Sequence, residues 1–117
     1  MKFGPFVLQV SPSPDVDSQF IDSTLREAEL FDALHYDVIW LTEHYFGGDT
    51  VYADPVVFGA AVAARTRNIK IGFAVVQMAF HHPVKLAAQT ALLDNLSHGR
   101  LIVGTGRGSA YNSYEYA

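Results

Sequence analysis

Four short apolar runs constrain the fold of this chain more than any other feature of its sequence. The second, third and fourth runs start about 31–32 residues apart, which is the length of a strand–helix–strand unit. Each run is rich in β-branched or aromatic residues and has few polar positions, as expected for parallel strands buried on both faces. The predicted strands are Phe3–Val10, Val38–Leu41, Ile69–Val76 and Leu101–Thr105.

Three helix-like segments separate these runs. The segment Ser18–His35 places apolar residues at helical spacing, with charged residues at the positions between them. Asp54-Pro55 is an N-cap followed by a proline in the first turn, so it predicts a second helix that ends near residues 65–68. A third helix is predicted from Pro83 to about residues 97–98. The element order is therefore β1–α1–β2–α2–β3–α3–β4.

The loops that follow the strands are long, whereas those that precede them are short. This asymmetry is typical of β/α-barrel enzymes, whose active sites lie at the carboxyl ends of the strands. A doubly wound open sheet is the alternative, but it favours a glycine-rich phosphate turn after the first strand, and residues 11–15 contain no glycine. We expect an α/β fold that is the first half of a (β/α)8 TIM barrel.

Composition excludes several classes of function. Half of the residues are hydrophobic, 17% are charged, the net charge is −4 and cysteine is absent. Without cysteine there is no disulfide scaffold, thiolate metal site or cysteine nucleophile. Without a basic run, nucleic acid and anionic membranes are poor partners. No signal peptide and no apolar run near the ~20 residues of a membrane span are evident, so we expect a soluble, cytoplasmic protein.

The second and third predicted helices have little polar surface. A helix that is apolar most of the way round is buried on two sides. We therefore expect a homo-oligomer that forms through these two helices; an alanine-rich face simply tolerated at the surface is the alternative.

Glu43-His44 comes directly after the second predicted strand. A histidine at the carboxyl end of a barrel strand can act as an acid, a base or a hydrogen-bond donor near neutral pH. The alternative is a loop histidine that only covers the end of the barrel.

A glycine-rich turn with one arginine, Gly104–Gly108, comes at the end of the fourth predicted strand. Glycines allow close approach of the backbone to a ligand, and successive N–H groups beside an arginine bind phosphate well. The alternative is a tight turn with a solvent-exposed arginine.

Two further pairs of residues are candidates for weaker reasons. Ala74-Val75 lies near the end of the third strand and would leave room for a flat ligand, although core packing explains it equally well. His81-His82 precedes Pro83, but neighbouring side chains point different ways and lack the spacing of metal ligands. We expect no metal site, and we expect His82 to be the N-cap of the third helix.

These residues together resemble the luciferase-like flavin monooxygenases, bacterial luciferase among them. The similarity covers essentially all of residues 1–110, and its Trp-Leu-x-Glu-His and Leu-Asp-x-Leu-Ser-x-Gly-Arg segments are specific. The segments that carry it are Met1–Gly4 with Phe6, Asp37–His44, Asp54-Pro55, Ile71-Gly72, His82-Pro83, Leu93–Arg100 and Gly104–Gly108.

The resemblance implies an enzyme that uses reduced FMN and O2 to oxidise a small organic substrate, together with a possible flavin reductase partner. It implies a catalytic role for His44 beside the flavin and a phosphate-binding role for Arg107. It also implies that Ala74-Val75 lies against the flavin ring, through a non-proline cis peptide bond. The residues expected to contact the cofactor are Glu43, Ala74, Val75, Gly106, Arg107 and Gly108.

The sequence departs from bacterial luciferase at two positions. Gly106 stands where luciferase has a reactive cysteine, so neither thiol chemistry nor luminescence is implied. Tyr45 stands where luciferase has a second histidine. Other members of the superfamily use the deazaflavin F420, which remains the alternative cofactor.

The chain ends in the loop after the fourth predicted strand. We therefore expect residues 1–117 to be a partial barrel domain that lacks strands five to eight. Either the sequence is a fragment, or two halves associate to close a barrel. A truncated, self-associating half-barrel without catalysis is the alternative function, and whether this chain is itself an enzyme is left open.

Overall fold

Four parallel strands form one sheet, in the same spatial order as along the chain. This is a computed structural model, which describes residues 1–48 and 50–108. The parallel sheet with alternating strands and helices confirms the α/β prediction. The sequential order argues against the doubly wound alternative, because a doubly wound sheet reverses its strand order at a switch point. The elements are β1 (Phe6–Val7), α1 (Asp17–Ala33), β2 (Val38–Leu41), α2 (Pro55–Arg65), β3 (Lys70–Gln77), α3 (Pro83–Leu96) and β4 (Leu101–Gly106), with 3-10 turns at Pro14–Val16 and Met78–Phe80.

The first strand is much shorter than the predicted Phe3–Val10. Backbone N–H groups of β2 and the residue before it still bond to the chain upstream, since Asp37 N–H donates to Phe3 O and Trp40 N–H to Pro5 O. Pro5 has no N–H to return a bond, and this interrupts the ladder. Regular pairing is therefore confined to Phe6 opposite Trp40 and Val7 opposite Leu41.

The starts of α2 and α3 are as predicted. The Asp54 carboxylate caps α2, because its Oδ1 accepts bonds from Val56 N–H at 2.8 Å and Val57 N–H at 3.2 Å. His82 is the N-cap residue of α3 by position, but its side chain makes no capping bond. Each helix has its proline in the first turn.

One face of the sheet packs against the three helices and forms the core. The helix-facing row of β2 and β3 is completely buried, and Val62 of α2 and Ala28 of α1 cover it. That row consists of Ile39, Leu41, Ile71 and Phe73. The expectation that the strands are buried on both faces is wrong for part of the opposite face, where Phe6 is 55% and Ile102 36% exposed.

Arg100, the last residue of the Leu-Asp-x-Leu-Ser-x-Gly-Arg segment, joins the helices to the amino ends of β3 and β4. Its Nε donates to Ser97 O at 2.7 Å. Its two terminal nitrogens donate to Thr66 Oγ1 and Ile69 O at 2.8 Å, to Ala63 O at 3.0 Å and to Thr66 O at 3.2 Å. The planar guanidinium thus satisfies carbonyl groups at the ends of two helices.

Asp32 of α1 holds the loop between α2 and β3. Its carboxylate accepts backbone bonds from Arg67 at 2.8 Å, Asn68 at 2.9 Å and Ile69 at 2.6 Å. Burial acts to raise the pKa of Asp32, but these N–H groups and the charge of Arg100 hold the pKa below its ordinary value of 3.8.

Asp32→Asn should destabilise the fold at neutral pH, because one carboxylate oxygen is replaced by an NH2 group, which cannot accept a hydrogen bond from the backbone. A carboxylate with a depressed pKa stabilises the fold above its unfolded-state pKa, and that contribution is lost as pH falls through the folded-state pKa. The difference in melting temperature between the parent and the variant should therefore narrow below pH 3.8. Thermal unfolding followed by circular dichroism across this range measures it; a gap that does not change with pH would contradict the assignment.

Arg100→Leu should lower the free energy of unfolding by about 3 kcal/mol, because hydrogen bonds to a charged group contribute about 1.5–3 kcal/mol each and are not additive. Urea unfolding measures this quantity. Arg67→Ala, at an exposed position on the same side of the molecule, is the matched control and should stay within about 0.5 kcal/mol of the parent. Equal stability of Arg100→Leu and the parent would show that Arg100 does not stabilise the contact between the helices and the amino ends of β3 and β4.

Candidate functional site

A cavity of about 380 Å³ opens at the carboxyl ends of β2, β3 and β4. We call it the mouth cavity. Its lining comes from three consecutive strand ends and from β1, which is where parallel β/α folds carry their sites. The lining residues are Phe6, Thr42, Glu43, His44, Ala74, Val75, Gln77, Gly106, Arg107 and Gly108.

The structure brings all the site residues named from the sequence to this one cavity. Glu43 and His44 come from the end of β2, Ala74 and Val75 from β3, and Gly106 to Gly108 from the end of β4. Their roles toward a cofactor remain predictions.

Sequence reasoning missed three lining residues. Thr42 directly follows β2 and Gln77 ends β3, so their positions at parallel strand ends could have identified them. Phe6 could not be found in this way, because its strand was predicted too long to show which of its residues reach the cavity.

The backbone before His44 is fixed by Tyr52. The Tyr52 hydroxyl donates to Val7 O at 2.7 Å and accepts a bond from Thr42 N–H at 3.1 Å, so it bridges β1 and the end of β2. Burial raises the pKa of Tyr52 to about 12, which keeps this hydroxyl protonated across the physiological range. His44 N–H donates to Ala53 O at 3.3 Å, and the imidazole is partly buried at the cavity wall.

Glu43 lies on the cavity wall, but its carboxylate is bound by groups of the protein. The side chain is completely buried. Oε1 accepts a bond from the Tyr45 hydroxyl and lies 2.7 Å from His81 Nε2, and Oε2 accepts the N–H of Gln77 at 2.5 Å. These contacts make Glu43 a link between β2 and β3, a role that the sequence did not indicate.

Ala74 and Val75 form an irregular segment within β3. The pairing of β3 with β4 shifts register between Phe73 and Val76, so the two residues lie outside the regular ladder. The bond between them is cis, as the resemblance implied.

The glycines of β4 have a packing reason as well as a possible ligand-binding one. A Cβ on Gly106 would lie 2.8 Å from Val75 Cγ2, and a Cβ on Gly104 would overlap the Phe73 carbonyl oxygen. Gly108 has a φ of 89°, which favours glycine. Close approach of β4 to β3 therefore explains Gly104 and Gly106 without any ligand. Arg107, between two glycines, is exposed at the cavity edge.

The two adjacent histidines differ in their surroundings, although both line one cavity on the surface. His81 is 13% exposed and bonded to Glu43, whereas His82 is exposed. Within residues 1–48 and 50–108, no three His, Asp or Glu side chains are grouped so that they could hold a metal ion. Over the same residues, no helix combines the length and apolar character needed to cross a bilayer.

Comparison with curated proteins finds relatives of which this chain covers only a part. Limonene 1,2-monooxygenase of Rhodococcus erythropolis is 44% identical over 95 residues, which are 80% of this chain and 24% of that protein. The oxygenase component of the flavin-dependent trigonelline monooxygenase of Acinetobacter baylyi is 32% identical over 117 residues, which are 99% of this chain and 32% of that protein. The chain thus spans about a quarter to a third of the relatives it matches.

Solved structures show the same fold. The monooxygenase RslO1 of Streptomyces bottropensis superposes with a TM-score of 0.90 at 41% identity, over 99% of this chain and 36% of that one. The oxygenating constituent of 3,6-diketocamphane monooxygenase of Pseudomonas putida, in complex with FMN, superposes with a TM-score of 0.87 at 25% identity, over 100% of this chain and 32% of that one. The F420-dependent tetrahydromethanopterin reductase of Methanopyrus kandleri superposes with a TM-score of 0.70 at 23% identity, over 98% of this chain and 29% of that one. This is a likeness of fold alone.

A family model described as luciferase-like monooxygenase matches residues 1–116. That range includes every strand and helix of the structure and every residue that lines the mouth cavity. The chain therefore belongs to the luciferase-like monooxygenase family.

Proposed function

We propose that this chain forms one side of the reduced FMN and O2 site of a flavin-dependent monooxygenase that oxidises a small organic substrate. On this proposal, residues 1–117 are the first part of a (β/α)8 barrel domain. The observation that supports it is the convergence of His44, Ala74-Val75 and Gly106–Gly108 on one cavity at three neighbouring strand ends. The FMN complex of the Pseudomonas putida relative supports the choice of cofactor.

Arg107 and Gly108 are the residues that would hold the FMN phosphate. A guanidinium can bind phosphate through two parallel hydrogen bonds. Gly108 has a positive φ and adds no side chain, so the backbone beside the arginine is open to an anion.

Ala74 and Val75 would lie against the flavin ring. Both are partly buried and apolar, and both line the mouth cavity beside Gly106. This combination provides a wall without polar groups, which suits a flat aromatic ring system.

His44 would be the catalytic residue. Bound FMN, once reduced, supplies the electrons for reaction with O2. His44 is held at the cavity wall by its own backbone bond and by the Tyr52 bridge before it, so its imidazole can exchange a proton or donate a hydrogen bond at a fixed position.

The relatives and the surface of the helices support the proposed partners of the reaction. The Acinetobacter baylyi relative is an oxygenase component, which supports a separate flavin reductase. Homo-oligomer formation is supported by apolar side chains on α2 and α3, where Val57 is 65%, Val84 71% and Leu92 62% exposed. A cytoplasmic location fits such a reductase-coupled enzyme.

The alternative function is a self-associating half-barrel without catalysis. The same exposed side chains of α2 and α3 favour it, because they would drive association whether or not flavin binds. Absorbance of the chain with added FMN, together with its mass in solution, distinguishes the two: a stable oligomer without flavin binding supports the alternative. Binding of F420 in preference to FMN would instead replace the proposed cofactor.

Arg107→Ala should weaken FMN binding about tenfold or more, because a charge-assisted bond to the phosphate is lost. Fluorescence titration with FMN and with riboflavin, which lacks the phosphate, measures the effect. Only FMN should lose affinity, and Arg67→Ala, at the opposite end of the strands, should bind both as the parent does. If the two flavins lose affinity equally, the phosphate role of Arg107 is wrong.

His44→Ala should reduce the oxygen consumption that depends on reduced FMN, measured above the background of free reduced FMN without protein, by about 100-fold or more, the usual contribution of a positioned acid–base group. FMN affinity should change much less, since the walls of the cavity remain. An oxygen electrode and the fluorescence titration provide the two readouts. His82→Ala, at an exposed histidine outside the mouth cavity, is the control. Parent-like oxygen consumption in His44→Ala would exclude the catalytic role.

A further inference from the structure

The Glu43 carboxylate is completely buried at the point where β2 and β3 end. A buried carboxylate is stable only when donors satisfy its oxygens. Gln77 supplies its backbone N–H to Oε2, and its side-chain Nε2 donates to the Glu43 carbonyl oxygen at 2.7 Å. Glu43 and Gln77 therefore link the two strand ends by both side chain and backbone.

His81 supplies a further contact to this carboxylate from outside the mouth cavity. Its Nε2 lies 2.7 Å from Glu43 Oε1, on the oxygen that also accepts the Tyr45 hydroxyl. In the tautomer with a proton on Nε2, the imidazole can donate to this oxygen, and carboxylate oxygens are hydrogen-bond acceptors.

A second cavity of about 380 Å³ has His81 in its lining. We call it the outer cavity. It is lined by Tyr45, Asp54, Phe80, His81, His82, Lys85 and Gln89. His81 is part of this lining and not of the mouth cavity, so it contacts the buried carboxylate from the wall of the outer cavity.

The linked strand ends carry the residues of the proposed site. His44 follows Glu43 directly, and Val75 comes two residues before Gln77. Because Glu43 joins these segments, a change in its carboxylate would move His44 and Val75 relative to each other.

We infer that His81 is a positioning residue: through its bond to Glu43 it fixes the ends of β2 and β3 and thereby the cavity wall that holds flavin. This inference rests on the proposed function for its effect on FMN. It assigns a role to His81, which does not line the mouth cavity and which the sequence indicated only as a poor metal ligand.

Three variants of the full chain test the inference. His81→Leu removes the donor, His81→Gln keeps an N–H that can reach Glu43, and His82→Leu changes the exposed neighbour that makes no capping bond. His81→Leu should weaken FMN binding about tenfold, as expected for a lost bond to a charged group, whereas the other two variants should stay within about threefold of the parent. Fluorescence titration under conditions where circular dichroism shows all variants folded measures this.

Rescue by glutamine separates positioning from mere support of the fold. If His81→Leu binds FMN as the parent does, or if His81→Gln loses as much affinity as His81→Leu, the inference is overturned. If His81→Leu does not fold, His81→Asn, whose shorter amide does not reach Glu43, takes its place.

NMR of the ligand-free chain keeps this inference distinguishable from the proposed function. The His81 nitrogen signals should show a protonated Nε2, and the amide signals of His44, Val75 and Gln77 should shift in His81→Leu but not in His81→Gln or His82→Leu. If the parent binds no FMN, the proposed function fails for this chain, and these signals alone decide the positioning role. An unprotonated Nε2, or amide signals unchanged in His81→Leu, would refute it.

Discussion

Burial of one row of apolar side chains on β2 and β3 is the interaction on which the rest of the structure depends. Ile39, Leu41, Ile71 and Phe73 are completely inaccessible beneath the helices. Full burial of such a side chain contributes about 1.5–3 kcal/mol, so this row fixes the register of the two central strands firmly. Because the register is fixed, the residues that follow β2 and those that end β3 meet at one edge of the sheet.

Different interactions stabilise the sheet at the amino ends and at the carboxyl ends of its strands, which we call its amino and carboxyl edges. At the amino edge, Arg100 and Asp32 bind backbone groups of the loops and helix ends, and neither lies near the mouth cavity. At the carboxyl edge, the buried Glu43 carboxylate joins the strand ends beside the candidate site. Arg100, the last residue of one of the two specific segments of the resemblance, therefore contributes to the stability of the fold and does not line the mouth cavity.

The element order, and the positions of the named residues at three strand ends around the mouth cavity, could be predicted from the sequence because both follow from short-range patterns. The roles of those residues stay predictions. Asp54-Pro55 marks the start of α2 directly, and residues after parallel strands must share one edge. The extent of β1 was wrong, because apolar character continues across Pro5 although hydrogen-bond pairing does not. The bonds of Glu43 to Tyr45, Gln77 and His81 could not be predicted, since they depend on how the chain after β3 turns back across the end of β2.

The contact between Gly106 and Val75 also limits how the site can vary. By the resemblance, bacterial luciferase has a cysteine at the position of Gly106. In this chain any side chain at Gly106 would have to displace Val75. A thiol introduced at position 106 would thus do two things at once: it would add a reactive group to the mouth cavity and displace Val75, which lines the cavity beside it. Reactivity and cavity shape are therefore coupled at this residue of the chain.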